Sequence, residues 1–423
     1  MASFVIRLAA IASLNLKSDE TPLKFTMIGF SMKIAFSLVK NTLRGGGIEK
    51  YTLELGSRLV QRGHDVTVFS MKHYGNVETK IAGMRVVSLP SIKHSSLEKI
   101  STGAMAALHL ALSSEEFDIV HFHSIAAGAF GRMLKNRACK TVLQMHGIEW
   151  QRSRWNMLGT NMLKALEWIS LKSHDAYTAV SQTQCSYYRN AMGLNMTYIP
   201  TGAEVFEPCN AHEILDLNIK PGNYVLFASR LVREKGAHYL IEAFRRVQTE
   251  CKLVIAGDAN GEEAYKNELR QLAGADPRII FPGFVEGRKL KELFSNSALY
   301  VQPSEMEGLS IALLEAMSYG NCCLVSDIPE NREAIADCGV SFQNANTKDL
   351  RVKLTELLNA PDIRHSLGQR ARCRVKDHFS WDAIASNFEE LYRNLLVSRP
   401  SVQRYSAMES GALISAHAGT KNP

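Results

Sequence analysis

The stretch Leu299-Tyr300-Val301-Gln302-Pro303-Ser304-Glu305-Met306-Glu307-Gly308-Leu309-Ser310-Ile311-Ala312-Leu313-Leu314-Glu315-Ala316-Met317 reads as three elements in succession. Leu299–Gln302 is short and apolar and stops at Pro303, which suits a buried strand. Residues 304–308 are polar and end on glycine, which suits a loop. From about Leu309 a helix fits, and it carries Glu315 inside an apolar run. Strand, loop and helix are the unit of a parallel sheet covered by helices. A carboxylate among leucines is costly to bury without donors. Sugar and ribose hydroxyls are suitable donors, and the helix start at Gly308, Leu309 and Ser310 suits a phosphate. A capped surface helix is the plainer reading, but Leu313 and Leu314 make a freely solvated face at Glu315 uncomfortable.

Outward from this stretch the same unit repeats. Strand candidates in the first half are 33–39, 65–70, 85–89, 118–123, 140–145, 176–180 and 196–199, with helical patterns between most of them. One helix covers 48–61 and is stopped by Gly63. A break follows at Pro200-Thr201-Gly202 and the polar stretch 207–221. Strand candidates then resume at 224–229, 251–256, 278–281, 299–302, 322–325 and 339–342. The last helical segments run from 347 to about 397, interrupted at Pro361 and Ser380. The expected fold class is α/β, with two doubly wound domains.

Composition agrees with a globular chain of 423 residues, too long for one ordinary domain: 46% hydrophobic and 22% charged. The net charge of +7, from 49 Lys and Arg against 42 Asp and Glu, suits an anionic ligand or membrane surface. No basic stripe interleaved with aromatics points to nucleic acid. The eight cysteines form no CxxC pair and no zinc-ligand spacing, so reduced core cysteines in a cytoplasmic protein are expected. No uncharged apolar run of eighteen residues occurs, so no spanning helix is expected. Residues 1–16 resemble a signal peptide faintly but lack a convincing cleavage site. Residues 1–31 read as an upstream extension before Met32, and 398–423 as a disordered tail.

In open parallel sheets ligands bind beyond the carboxyl ends of the strands. Four loops there carry candidate chemistry. In Arg44-Gly45-Gly46-Gly47-Ile48-Glu49 the glycines, Gly46 and Gly47 among them, let a phosphate approach a helix start; a flexible turn is an equal reading. It is neither a dinucleotide GxGxxG nor a P-loop. In Ser229-Arg230-Leu231-Val232-Arg233-Glu234-Lys235-Gly236, Arg230 and Lys235 can reach a diphosphate, one as a planar fork and one as a compact charge. The segment 304–317 is the third. The fourth is Gln144-Met145-His146-Gly147, with His146 at a strand terminus. His121 and His123 are similarly placed, but no third ligand completes a metal site, so none is expected.

Together these loops resemble the retaining, GT-B-fold glycosyltransferases of family 4. The resemblance rests on Gly46-Gly47-Ile48-Glu49, His146-Gly147, Arg230 with Glu234-Lys235-Gly236, Gly257-Asp258, Gly283-Phe284-Val285 and the Glu307/Glu315 pair, in family order over about residues 32–397. It implies a GT-B fold: an acceptor domain over 32–203, a nucleotide-sugar-binding domain over 204–380, and a helix over 381–397 returning to the first domain. It implies Arg230 and Lys235 on the diphosphate, Glu315 on the ribose, Glu307 on sugar hydroxyls and the backbone up to Val285 on the base. His146 would lie by the reacting sugar, with Gly46 and Gly47 over the phosphates. No cofactor and no metal are implied beyond the nucleotide-diphosphate sugar itself. Leu309-Ser310 departs from the family's frequent Phe-Gly, which puts the sugar contacts in doubt. The run Glu149-Trp150-Gln151-Arg152-Ser153-Arg154-Trp155 resembles that of bacterial surface-polysaccharide transferases and suits acceptor contact. A helix packed on the core by Trp155, Leu158, Leu163 and Trp168 is an equal reading.

The expected function is therefore sugar transfer to a glycan or lipid-linked acceptor in surface or exopolysaccharide synthesis. The expected location is cytoplasmic, with peripheral contact at the inner face of the membrane. A nucleotide-sugar epimerase on the same fold and a non-catalytic nucleotide-sugar-binding protein are the alternatives.

Overall fold

The computed structural model describes residues 31–40, 46–75, 79–94, 97–152, 155–259 and 263–397. The extension before Ser31 and the tail 398–423 lie outside the described residues, as do Arg44, Gly45, Ser153 and Arg154.

The first half runs β1 (Lys33–Val39), α1 (Gly47–Gln61), β2 (Asp65–Met71), β3 (Lys80–Ile81), β4 (Met84–Leu89), α2 (Glu98–Leu112), β5 (Ile119–His123) and α3 (Ile125–Gly128). It continues with β6 (Lys140–Met145), α4 (Met157–Ser170), β7 (Ala176–Ala179), α5 (Gln182–Met192) and β8 (Thr197–Tyr198). The second half has β9 (Tyr224–Ala228), α6 (Ala237–Phe244), β10 (Lys252–Ala256), α7 (Glu263–Ala273), β11 (Ile279–Gly283), α8 (Gly287–Ser295) and β12 (Leu299–Gln302). Then come α9 (Ile311–Ser318), β13 (Cys323–Ser326), α10 (Pro329–Ile335), β14 (Val340–Phe342), α11 (Thr347–Leu358), α12 (Pro361–His378) and α13 (Trp381–Val397).

These strands make two sheets. The first has the order β3-β4-β2-β1-β5-β6-β7-β8, and the second β11-β10-β9-β12-β13-β14. All pairings are parallel except β3 with β4. The two-residue strand β3 is too short to leave a periodic signal, and sequence reading missed it. Strand order reverses beside β1 in the first sheet and beside β9 in the second, so loops leaving β1, β5, β9 and β12 open toward crevices.

Parallel strands covered on both faces should be continuously apolar. Ile34, Ala35 and Phe36 of β1 and Val225, Leu226 and Phe227 of β9 are all buried accordingly. On one face of the first sheet, Phe36, Tyr51 and Leu55 pack with Trp381, Ile384, Phe388 and Tyr392, so α13 covers the half of the chain made first. Arg62 fastens the helix by bonding Glu389 at 3.1 Å and the Asp382 carbonyl at 2.8 Å. The two crossings between halves run side by side: Ala203 N–H bonds the Phe379 carbonyl at 2.9 Å, and a Cβ on Gly202 would strike Trp381 and Ile384.

Helix α4 departs from the expected packing. Leu163 is buried and Trp155 packs at the edge of the core, but Leu158 is 78% exposed and Trp168 51%. The face that packs inward carries Leu163, Glu167 and Ser170 instead. Both faces of this helix hold apolar residues, so spacing alone does not tell which one is covered.

Candidate active site

Three of the four candidate loops converge where the two halves face each other. His146 and Gly147 follow β6, and Gly308 follows β12. A Cβ on Gly308 would overlap the His146 carbonyl oxygen, so the two backbones touch only because residue 308 is glycine. The 233–236 turn is held just as closely. Gly236 has φ +70°, and a Cβ there would run into the Pro303 carbonyl. Glu305 N–H bonds the Glu234 carbonyl at 2.9 Å, tying the loop after β9 to the loop after β12.

That tie brings Lys235 onto Glu307. The ammonium nitrogen lies 2.6 Å from each carboxylate oxygen, and both side chains are largely buried. Arg230 stays about half exposed, with a long 3.9 Å approach to Glu234. Glu234 is held from the other half by Arg152 at 2.6 Å. Ser310 caps α9 by accepting from Leu313 N–H, and its hydroxyl donates to Gln302 at 2.7 Å. Leu309 turns its side chain into the core, which leaves its main chain for any ligand. Val285 also packs against that core, behind Phe284, which is exposed.

Glu315 finds its donor across the cleft: Lys50 of α1 forms an ion pair with it. Gly46 is the N-cap of α1, and its carbonyl accepts Lys50 N–H at 2.9 Å. Gly47 opens the helix with no neighbour where a Cβ would stand. The Glu49 carboxylate folds back against Gly46 and accepts Lys40 N–H at 3.1 Å. The two halves are also joined where Glu333 of α10 accepts Gln182 N–H at 2.9 Å at the start of α5.

The floor on the first-sheet side is neutral. His146 Nε2 is 3.0 Å from His123 Nδ1, and His123 Nε2 is 3.2 Å from the Thr52 hydroxyl. Tyr51 stands edge-on to His146 at 5.0 Å, its hydroxyl held by Gln144 at 2.7 Å. His121 bonds the Tyr392 hydroxyl at 2.6 Å. Burial, and then the Lys99 charge, pushes His146 down to about 3. Burial, and then His146, takes His121 down to about 3, and burial lowers His123 well below its ordinary range. At neutral pH His146 is therefore an uncharged imidazole. One consistent proton assignment has Thr52 donate to His123, His123 donate from Nδ1 to His146, and His146 keep its proton on Nδ1. Sequence reasoning missed Lys50, Tyr51 and Thr52; their position one turn into the helix after the glycine loop was the available signal. It also missed Glu330, whose carboxyl is raised by burial and then by Glu333 and Glu307.

Among the described residues, no group of three or more His, Cys, Asp or Glu side chains is arranged to hold a metal ion. The site instead offers cations, carboxylates, peptide N–H groups and a neutral imidazole around one crevice.

Comparison with known proteins accounts for this set. The pattern described as Glycosyltransferase Family 4 matches residues 45–205, and Glycosyl transferases group 1 matches residues 214–374; between them they take in most of the chain. The chain belongs to glycosyltransferase family 4. An uncharacterized glycosyltransferase of Methanocaldococcus jannaschii is 25% identical over 373 residues, 82% of this chain and 94% of that protein. The fold is GT-B. Sucrose-phosphate synthase from Thermosynechococcus elongatus superposes with a TM-score of 0.76 at 21% identity, over 86% of this chain and 99% of its own. Anabaena HepE, solved in complex with UDP-glucose, superposes with a TM-score of 0.72 at 18% identity, over 86% of this chain and 100% of its own. As a family 4 glycosyltransferase the protein is an enzyme. No helix among its described residues is long and apolar enough to cross a membrane.

Proposed function

We propose that this glycosyltransferase moves a sugar from a nucleoside-diphosphate sugar, with retention of anomeric configuration, to a glycan or lipid-linked acceptor. The role we assign is bacterial-type surface or exopolysaccharide synthesis, at the cytoplasmic side of a membrane. The meeting of Lys235 and Glu307 with the His146–Gly308 contact carries this reading. It puts a cation, a carboxylate and a neutral imidazole around one space of the kind a diphosphate and its sugar need.

The division of labour follows from the charges. Arg230 and Lys235 take the diphosphate and stabilise the charge that develops as the glycosidic bond breaks, with the α9 N-terminus at Gly308, Leu309 and Ser310 adding peptide N–H groups. Glu307, released from Lys235, accepts from the sugar hydroxyls. Glu315 accepts from the ribose hydroxyls in place of Lys50. The backbone through Val285 meets the base. His146, neutral, bonds the sugar without adding charge. Gly46 and Gly47 close over the phosphates from the first half. The complex of Anabaena HepE with UDP-glucose supports this class of donor.

The test is release of nucleoside diphosphate with and without candidate acceptors, after a thermal-shift screen of nucleotide sugars. A bound donor raises the melting temperature through mass action. Acceptor-dependent release is expected. Conversion of the donor to an isomer without acceptor indicates an epimerase, and binding without turnover a binding protein; either result sinks the proposal. Because basic side chains neutralise the leaving group, activity should survive EDTA. Loss restored by Mn²⁺ or Mg²⁺ defeats that part.

A further inference from the structure

Helix α4 turns an apolar stripe to solvent. Leu158 is 78% exposed, Met162 36%, Trp168 51% and Ile169 39%, and Ala165 between them is exposed as well. These positions follow at helical spacing along one side, with Met157, 82% exposed, at its start. Single exposed apolar residues are ordinary, whereas a continuous stripe along a whole helix is the mark of a contact surface.

Charge around the stripe is one-sided. Between residues 150 and 172 the basic residues are Arg152, Arg154, Lys164 and Lys172, and the only acid is Glu167. Glu167 is buried, bonded to Tyr188 and to Trp150 at 3.0 Å, and so presents no exposed carboxylate on the face. Lys172 lies 3.8 Å from the centre of the Trp168 ring, and Lys164 lies 4.7 Å from that of Trp150. Both ammonium groups thus lie over aromatic faces, which fixes cations beside the stripe.

We propose that α4 seats this protein on an anionic lipid surface, with Leu158, Met162, Trp168 and Ile169 in the headgroup boundary and Lys164 and Lys172 on the lipid phosphates. An apolar stripe flanked by cations is what a helix lying in that boundary requires. A second copy fits less well. A two-fold contact would set each stripe against itself, bringing like charges together with no exposed carboxylate in the segment to pair them. The inference deepens the membrane-side placement of the proposed function, on which it rests, by naming the helix that makes the contact. It also sets that contact relative to the cleft: Arg152 spans the cleft to Glu234, and only four residues lie between it and Met157, a reach of at most about 18 Å of chain. A bilayer under α4 therefore lies at the cleft's edge.

Co-sedimentation of the full-length chain with vesicles decides the matter. Vesicles of phosphatidylcholine mixed with phosphatidylglycerol should bind it about tenfold or more tightly than phosphatidylcholine alone, and salt should reduce the difference. The double variant L158Q/W168Q, altered only at exposed positions, should lose at least about tenfold of that binding. Its circular dichroism and its thermal shift with nucleotide sugar should stay unchanged. K164E/K172E should lose the preference for phosphatidylglycerol. Three results overturn the proposal: no binding by the unaltered protein, undiminished binding by L158Q/W168Q, or a dimer in sedimentation that L158Q/W168Q dissociates while vesicle binding is absent.

Discussion

The two walls of the cleft are built from different chemistry. The second-sheet wall is ionic: Arg230, Lys235, Glu307 and Glu315 stand on loops and a helix start, each paired or open to solvent. The first-sheet wall is neutral: His123 joins Thr52 to His146, His121 bonds Tyr392, Gln144 holds Tyr51, and burial keeps the imidazoles uncharged. In the proposed transfer from a nucleoside-diphosphate sugar, charge develops on the leaving diphosphate, which the ionic wall is suited to receive. A neutral wall on the sugar side can hold hydroxyls without attracting the diphosphate away. The contrast suggests that substitutions on the ionic side should act mainly on turnover and donor affinity, and those on the neutral side on geometry and acid stability.

The largest effect should come from Lys235. Lys235→Ala removes a proposed diphosphate ligand and strands the mostly buried Glu307, so kcat/KM should fall by two to three powers of ten or so. The melting temperature should fall as well. Adding Glu307→Gln should restore the melting temperature without restoring turnover. Recovery of both would make the pair a structural strut and dissolve the distinction between the walls. Next comes Gly308→Ala, which forces the walls apart at the His146 carbonyl. Misplacement of about 1 Å is enough to reduce transfer about a hundredfold. Normal kinetics in this variant would show that the contact does not persist during turnover.

Smaller effects are expected at the bridge between walls. Glu315→Gln should raise the donor KM about tenfold with little change in kcat, because its bonds to ribose would be similar in ground and transition states. Lys50→Ala should move the donor KM the other way, down by a factor of about two to five, because it frees Glu315 for the ribose. If Lys50→Ala also raises KM, Lys50 is a donor ligand in its own right. The least effect on catalysis at neutral pH is expected at the buried His121, which acts on stability. A histidine held near 3 in the folded state takes up its proton only on unfolding when the pH lies between about 3 and 6.5. The stability such a group contributes is complete above about pH 6.5. It declines as pH falls, by at most about 1.4 kcal/mol per pH unit per histidine. Urea denaturation from pH 7 to 4 should show a slope that His121→Phe reduces; an unchanged slope would place the acid sensitivity elsewhere.

Much of this was legible before any coordinates. Each strand of the second sheet is a short apolar run ending in a recognisable loop, so the fold and the ionic wall could be read from local pattern. Glu315 looked costly without donors, and the loops with Arg230, Lys235 and Glu307 sit where parallel strands end. Contacts between distant residues were not legible. Lys50 meets Glu315 across 265 positions of sequence, and Thr52 meets His123 across 71. A lysine and a threonine one turn into an amphipathic helix carry no local mark of such partners. The outward stripe of α4 was left between core packing and acceptor contact for a related reason. Hydrophobic spacing identifies a face but does not say what covers it.

The return of α13 to the first sheet has a consequence for how the protein is made. Trp381, Phe388 and Tyr392 complete the packing around β1 and α1, yet they are translated some 300 residues later. During synthesis the leading half leaves the ribosome with one side of its sheet covered by α1 but still lacking α13. It reaches its final packing only after the trailing half has folded and delivered the last helix. A messenger cut short after residue 380 would therefore damage the oldest part of the chain while sparing the newest, and quality control would meet a lesion far from where the message ended.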